Sequence, residues 1–232
     1  MPESFNLLSV IIPVYNEKST ISEVIEKVSA VELPVEKEII VVDDGSTDGT
    51  VEILQSNSIK LANTYLTPVN MGKGAAVRIG LTLAKGEIIL IQDADLELNP
   101  NEYKQLLQPI LDGKTSVVYG SRFLGENRVA PLRRLANYFL TFTTNLLFRT
   151  KLTDMETAYK VFTSEVAKKF SLEANRFDIE PEITAQIARN GFMILEVPIS
   201  YRPRTKSEGK KIKWKDGIKA LLTLLKYRFL KR

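Results

Sequence analysis

Asp93 and Asp95 stand one residue apart, directly after the apolar run Glu87-Ile88-Ile89-Leu90-Ile91-Gln92. Two like charges that close repel each other and raise one pKa unless something positive lies beside them. A divalent metal meets that need. Mg²⁺ or Mn²⁺, held by one or two carboxylates and completing its shell with water and phosphate oxygens, is a usual grip on a nucleoside diphosphate. An isolated Asp-x-Asp is more often a plain turn, because aspartate bonds its own backbone there. The neighbouring segments shift that balance.

The chain opens with Ser9-Val10-Ile11-Ile12-Pro13-Val14-Tyr15-Asn16-Glu17, continues with Ile39-Ile40-Val41-Val42-Asp43-Asp44-Gly45-Ser46, and then presents Asn70-Met71-Gly72-Lys73-Gly74. In each case an apolar strand leads into a polar, glycine-tolerant turn at its carboxyl end, where open α/β sheets bind ligands. Taken with Tyr119-Gly120-Ser121-Arg122-Phe123, Asp154-Met155-Glu156-Thr157-Ala158-Tyr159-Lys160 and Glu196-Val197-Pro198, this combination resembles the family 2 glycosyltransferases of the GT-A fold. Within that family it looks most like the polyprenyl-phosphate sugar transferases, the dolichyl-phosphate mannose and glucose synthases and their bacterial relatives.

The resemblance implies a nucleotide-sugar pocket built from Pro13, Tyr15, Glu17 and Asp44, joined by Lys73 and Asp93. A carboxylate at Asp44 suits the imide N–H of uracil or the N1–H and amino group of guanine, and one at Glu17 suits a ribose hydroxyl. Asp43 either joins this pocket or caps the following turn. Asp93 and Asp95 are implied to hold metal and diphosphate, with Asp95 the direct ligand. Glu97 stands where this branch commonly carries glutamine and is a third candidate ligand. The Lys73 turn lacks the spacing of a P-loop.

On the acceptor side, Arg122 with Arg133 or Arg134 resembles the arginines that receive a lipid phosphate, for which a guanidinium fork is suited by its two parallel donors. Asn137 occupies the place of a serine that often follows by one helical turn. Asp154 takes the family's third acidic position. It is a general base if the acceptor is a hydroxyl, and an orienting group if the acceptor is a phosphate, already largely ionised at neutral pH. Glu156 and Glu180 are second choices for that duty. The segment from Tyr201 to Lys211 resembles the family's mobile lid, with Arg202, Arg204, Lys206 and Lys211 available to neutralise the departing diphosphate, Arg202 foremost.

Composition narrows the chemistry independently. Among 232 residues there is neither cysteine nor histidine, so disulfides, thiolate metal sites and a Ser-His-Asp triad are excluded, and a zinc site of the usual Cys and His ligands is not expected. Any general base is Asp, Glu, Lys or Tyr. The net charge of +4 hides an asymmetry, because Arg202 to Arg232 carries twelve Lys or Arg against two acidic residues, while residues 1–201 carry 20 basic and 26 acidic. Such a basic stretch favours phosphate or anionic lipid. Nucleic acid is not expected, because the basic loop lacks interleaved aromatics. Met1 to Leu8 does not read as a signal peptide, and no run reaches the ~20 apolar residues of a membrane span.

Strands of four to seven apolar residues alternate with helical patterns. This predicts an α/β fold of GT-A, Rossmann-like type, with a mainly parallel sheet flanked by helices. Thr20 and Glu23 form a capping-box pattern ahead of a helix to Ala30 with Ile21, Val24, Ile25 and Val28 on one face. Asn99, Pro100 and Glu102 repeat the device before Tyr103 to Leu111. Helices are expected over Pro131 to Arg149, Ile179 to Asn190 with Gly191 closing, and Trp214 to about Leu230, with a strand from Met193 to Ser200. In the last helix Ile218, Leu221, Leu222, Leu225 and Phe229 form an apolar stripe bordered by Lys215, Lys219 and Lys226. That stripe suits either core packing or an anionic membrane surface.

The expectation is therefore a GT-A catalytic domain over residues 1–201, with a basic lid loop and amphipathic helix over 202–232. It transfers a hexose with inversion from a UDP-glucose or GDP-mannose type donor to a polyprenyl phosphate. The setting is cytoplasmic, peripheral at the inner face of the membrane, with room for a separate membrane subunit. The competing expectations are transfer to a hydroxyl acceptor and a non-catalytic basic module.

Overall fold

The computed structural model describes residues 5–56, 62–125, 127, 129–204 and 214–230. Lys206 and Lys211 lie outside them. The first strand, β1 (Leu7–Val14), is buried along nearly its whole length, which is why it reads as a continuous apolar run rather than an alternating one. Helix α1 (Ile21–Ala30) crosses to β2 (Glu36–Asp43), α2 (Thr50–Gln55) leads to β3 (Asn63–Leu66), and α3 (Lys73–Leu83) returns to β4 (Ile88–Ile91). A 3-10 turn at Pro100–Glu102 runs into α4 (Tyr103–Leu111), followed by β5 (Val117–Ser121), α5 (Pro131–Phe148), β6 (Lys160–Thr163), α6 (Ser164–Ala167), α7 (Ile179–Arg189), β7 (Ile194–Pro198) and α8 (Trp214–Leu225). A π turn, Lys226–Leu230, extends α8.

The seven strands form one sheet in the order β3-β2-β1-β4-β6-β5-β7, parallel except for β6, which is antiparallel to both its neighbours. The chain goes outward from β1 through β2 to β3 and then returns to the other side of β1 with β4. The ends of β1 and β4 therefore flank a topological switch point, the usual ligand crevice of such sheets. Register makes the crevice level: Val14 pairs with Asp43 and Ile11 with Ile91. Two residues further along, Pro13 and Asp93 come abreast.

Both faces of the sheet are covered. Leu8, Val10 and Ile12 face a core shared with α1 and α4, while Ile11 and Ile91 face a second core with Val77, Ile183 and Leu224. The expected inner face of α1 is buried as a unit. Its Thr20 makes no side-chain cap, however; the hydroxyl instead donates to the carbonyl of Ala94 at 2.8 Å, tying the helix to the turn between Asp93 and Asp95. Asn99 does cap, accepting from Asn101 N, while Glu102 accepts from Ser200 N. Gly191 closes α7 at φ 78°, as its position after Asn190 suggests.

Helix α8 is built into the domain rather than appended to it. Ala220, Leu224 and Tyr227 are buried, and the Tyr227 hydroxyl bonds the carboxylate of Glu182 in α7. The expected stripe is split. Leu221 is half-buried, and Ile218, Leu222, Leu225 and Phe229 face outward.

Candidate active site

The carboxyl ends of β1, β2 and β4, the turn into α3, the start of α5 and the segment before Arg204 enclose a cavity of about 1220 Å³. That exceeds the ~300–1,000 Å³ of a typical small-molecule pocket, so it has room for two substrates side by side. Pro13, Tyr15, Glu17, Asp44, Lys73, Asp93, Asp95, Glu97, Arg122, Arg133, Asn137 and Arg204 all line it. Asp154, Arg134 and Arg202 do not.

The Asp93-Ala94-Asp95 turn is clamped from beneath. Buried Gln92 accepts from the hydroxyls of Tyr103 (2.7 Å) and Tyr159 (2.8 Å) and donates to the Asp93 carbonyl (2.8 Å). Leu96 adopts φ 59°, a left-handed conformation that costs a branched side chain about 1 kcal/mol or more. Burial, followed by the nearby charges of Asp93 and Glu97, pushes the Asp95 carboxyl up to about 7.

Two cations already touch this pair. Lys73, at the first position of α3, places its ammonium 2.6 Å from Asp93 and 2.9 Å from Glu180. Burial would lower its pKa, but the two carboxylates outweigh burial and raise it, so Lys73 stays charged. Glu180 in turn bridges Lys73 and fully buried Lys160, whose charges hold its carboxyl low against burial. Opposite, the Arg204 guanidinium spans Glu17 (2.9 Å) and Asp95 (2.9 Å).

Glu97 anchors that segment. Its carboxylate accepts from the Tyr201 hydroxyl and the Arg204 N–H, and its carbonyl accepts from Arg202 N. Among the described lid residues, then, it is Arg204 that enters the cleft, while Arg202 is exposed. Glu97, expected as a metal ligand, has both oxygens engaged in holding Tyr201 and Arg204. Among the described residues no group of three or more acidic side chains is arranged to hold a metal ion. Asp93 and Asp95 remain, two hard oxygen donors at one strand end, which fits an ion that takes most of its shell from phosphate and water.

Asp44 shapes the neighbouring turn. Its two oxygens each accept a backbone N–H at 2.7 Å, from Met71 and Gly72, and burial still raises its pKa. Gly72 sits at φ 103° with its α-carbon packed against the Asn175 carbonyl, where a Cβ would collide with backbone. Asp43 caps its own turn through Ser46 N at 2.9 Å.

On the acceptor side Asp154 is fully buried and forms a bidentate pair with Arg122, Oδ2 to Nε at 2.7 Å and Oδ1 to Nη2 at 2.8 Å. It also accepts from Arg122 N and from Asn137 Nδ2. Burial pushes its carboxyl up, but Arg122 and these donors outweigh it and leave it below the usual carboxylate range. A carboxylate so saturated, set behind the cleft wall rather than in it, is a positioning group: it aims Arg122 and Asn137, which do line the cavity. Arg133 lines it as well, whereas Arg134, itself exposed, lies over the Phe123 ring.

Two cleft residues were not singled out by the sequence for the roles their positions suggest. Arg176 lines the cleft near Asp44, and its charge acts on that carboxyl. It lies in the loop before α7, and no motif flags it. Glu156, only a second choice for the base, faces the cleft with its Oε1 buried and unpartnered.

A family model described as glycosyl transferase family 2 matches residues 9–170. An uncharacterized protein of Methanocaldococcus jannaschii is 30% identical over 226 residues, covering 93% of this chain and 90% of its own. Dolichyl-phosphate beta-glucosyltransferase ALG5A of Trichomonas vaginalis is 30% identical over 238 residues, 94% of this chain and 72% of that protein. Among solved structures, glucosyl-3-phosphoglycerate synthase from Mycobacterium tuberculosis in complex with Mn²⁺ and uridine-diphosphate-glucose superimposes with a TM-score of 0.74 at 25% identity, covering 96% of this chain and 79% of that one.

Proposed function

The chain belongs to glycosyl transferase family 2, and from that premise we propose that it moves a hexose from a nucleoside diphosphate sugar to a polyprenyl phosphate, with inversion at the anomeric carbon. One observation carries the choice of acceptor. The acceptor end of the cleft presents two guanidinium groups, Arg122 and Arg133, and the buried Asp154 carboxylate is spent on aiming the first of them. Guanidinium forks suit an ionised phosphate, which needs no base, whereas a hydroxyl acceptor gives up a proton in the attack. The dolichyl-phosphate relative supports the lipid-phosphate acceptor, and the UDP-glucose complex supports a nucleotide-sugar donor on a fold that also serves other acceptors.

In this reading Pro13, Tyr15, Glu17 and Asp44 hold the nucleotide, and Lys73 and Arg204 lie against the diphosphate. Asp93 and Asp95 hold Mg²⁺ or Mn²⁺, which supplies charge to stabilise the leaving diphosphate. Arg204, held on Glu17 and Asp95, is the described basic residue of this segment that stands beside the diphosphate position. Arg122, Arg133 and Asn137 place the acceptor phosphate in line with the anomeric carbon. The division at residue 201 is one of task, with lid and helix serving a domain that α8 helps to fold.

The test is a panel of UDP- and GDP-hexoses with and without polyprenyl phosphate, followed by release of nucleoside diphosphate. Release that depends on the lipid phosphate is expected. Equal release with free sugars or water as the sole acceptor would overturn the acceptor assignment.

The proposal extends to the surface beside the acceptor arginines. On α5, Leu132, Leu135, Phe139, Phe142 and Leu146 are exposed, Leu132 by 79%. Helix α8 packs on α5 and adds outward Ile218, Leu222 and Phe229, with exposed Lys215 and Lys219 nearby. Among the described residues no helix is long and apolar enough to cross a membrane. This face is proposed to rest on an anionic leaflet, each lysine contributing about 1 kcal/mol and losing it in high salt. The protein is expected to sediment with vesicles of anionic lipid at low salt. A folded variant carrying Phe142→Asp and Leu222→Asp is expected to stay in solution. Equal sedimentation of both proteins would reject this surface as the contact.

A further inference from the structure

Glu156 has no task in the scheme above. It lies in the turn between Asp154 and β6 and lines the cavity, and its Oε1 is buried without a hydrogen-bond partner. Buried carboxyl oxygens are almost always paired, so an unpaired one facing a cleft marks a place kept for a ligand. The neighbouring groups cannot serve it. Lys160 is committed to Glu180 and to the carbonyls of Met155 and Thr157, and Arg122 turns its Nε and one Nη to Asp154.

Its position within the cleft identifies the ligand. The charges of Lys160, Glu180 and Arg122 all act on the Glu156 carboxyl. Glu180 is bonded to Lys73, which holds Asp93 on the diphosphate side, while Arg122 belongs to the acceptor side. Glu156 is thus set between the group that leaves and the group that attacks, which is where the transferred hexose sits. A hexose presents hydroxyls around its ring, and each can donate to a carboxylate or accept from a carboxylic acid. Burial, opposed mainly by Lys160, brings the Glu156 carboxyl to about 7, so both forms are present near neutrality and a hydroxyl satisfies either.

We propose that Glu156 reads the donor sugar: its free oxygen pairs with one ring hydroxyl of the hexose and selects the sugar by where that hydroxyl stands. This rests on the donor assigned under Proposed function. Proton abstraction is the less suitable duty, since an ionised phosphate acceptor has no proton to give up in the attack. A site that pairs a substrate hydroxyl discriminates strongly against an epimer that leaves its buried oxygen unpaired.

Calorimetric titration of wild type, Glu156→Ala and Glu156→Gln with UDP, GDP, UDP-glucose, UDP-galactose and GDP-mannose in the presence of Mn²⁺ tests the proposal. Thermal midpoints serve as the folding control. Glu156→Ala is expected to bind the free nucleoside diphosphate as wild type does, to lose roughly ten- to a hundredfold in affinity for the preferred sugar nucleotide, and to discriminate less between epimers. Glu156→Gln, which keeps an acceptor oxygen, is expected to fall between them. Unchanged affinity for every sugar nucleotide overturns the proposal, and so does a parallel loss for free nucleotide and sugar nucleotide. Intact donor binding with loss of the acidic limb of a pH–rate profile would instead make Glu156 the base for a hydroxyl acceptor. Wild type that binds neither UDP nor GDP would sink the donor reading itself, an outcome distinct from failure at Glu156 alone.

Discussion

Asp95→Asn is expected to reduce sugar transfer by at least about a hundredfold, the order seen when one preorganised charge-stabilising group is removed from an active site. The carboxylate is held by a turn with little freedom: Gln92 braces it from below, Thr20 binds the intervening carbonyl, and Leu96 is fixed at φ 59°. Asparagine keeps the shape and one oxygen but removes the charge that a hard cation needs. The fold should survive, because the change relieves repulsion among Asp93, Asp95 and Glu97, and Arg204 keeps its pair with Glu17. Two measurements decide the point. Mn²⁺ binding in the presence of nucleoside diphosphate, followed by electron paramagnetic resonance, should be lost in the variant while its thermal midpoint stays within a few degrees of wild type. Wild-type activity in excess EDTA, or full activity of the variant, would remove metal from the account.

Asp154→Ala should damage the protein in a different way. Removing one member of a buried ion pair leaves the other charge uncompensated and costs about 3–5 kcal/mol. For a chain of this size the fall in Tm is of the order of 10 °C. Arg122 and Asn137 would both lose the group that aims them into the cleft, so the acceptor KM should rise as stability falls. A catalytic base behaves otherwise: Asp154→Asn would then keep its Tm and acceptor affinity and lose only kcat. The pH dependence carries the same signature. Because the folded-state carboxyl is held below its ordinary value, its stabilisation is present above roughly pH 4 and is lost as the pH falls through the folded value. The stability gap between wild type and variant should therefore be flat near neutrality and shrink only in acid. A variant with unchanged Tm at neutral pH would show that the Arg122 pair does not hold this part of the site together.

The residue pattern by itself determined the α/β architecture and the location of the cleft. Those follow from short-range physics. Apolar runs such as Val10 to Val14 and Ile88 to Ile91, short and β-branched, read as strands buried on both faces. Each ends in a turn whose Asp, Asn and Gly residues suit that backbone. Parallel strands joined by helices then bring their carboxyl ends to one edge, so Glu17, Asp44, Asp93 and Asp95 meet without any knowledge of side-chain packing. The choice of Arg133 over Arg134 was also within reach, since Arg133 precedes inward Asn137 by four residues and shares its helix face.

Pairing was decided only by the tertiary structure. Arg204 meets Glu17 across 187 residues, Arg122 meets Asp154 across 32, and Lys73 reaches Glu180 from a different helix. No local spacing encodes such meetings, because each depends on how far two packed elements approach and on which carboxylate is already satisfied there. That is how Asp154 became a support for Arg122, Glu97 an anchor for the lid segment, and Glu156 the unpartnered carboxyl in the cleft. The last helix shows the same limit. Its apolar residues span a stripe wide enough to face either way, and α8 turns Ala220, Leu224 and Tyr227 inward because the Tyr227 hydroxyl finds Glu182, leaving Ile218, Leu222 and Phe229 outside.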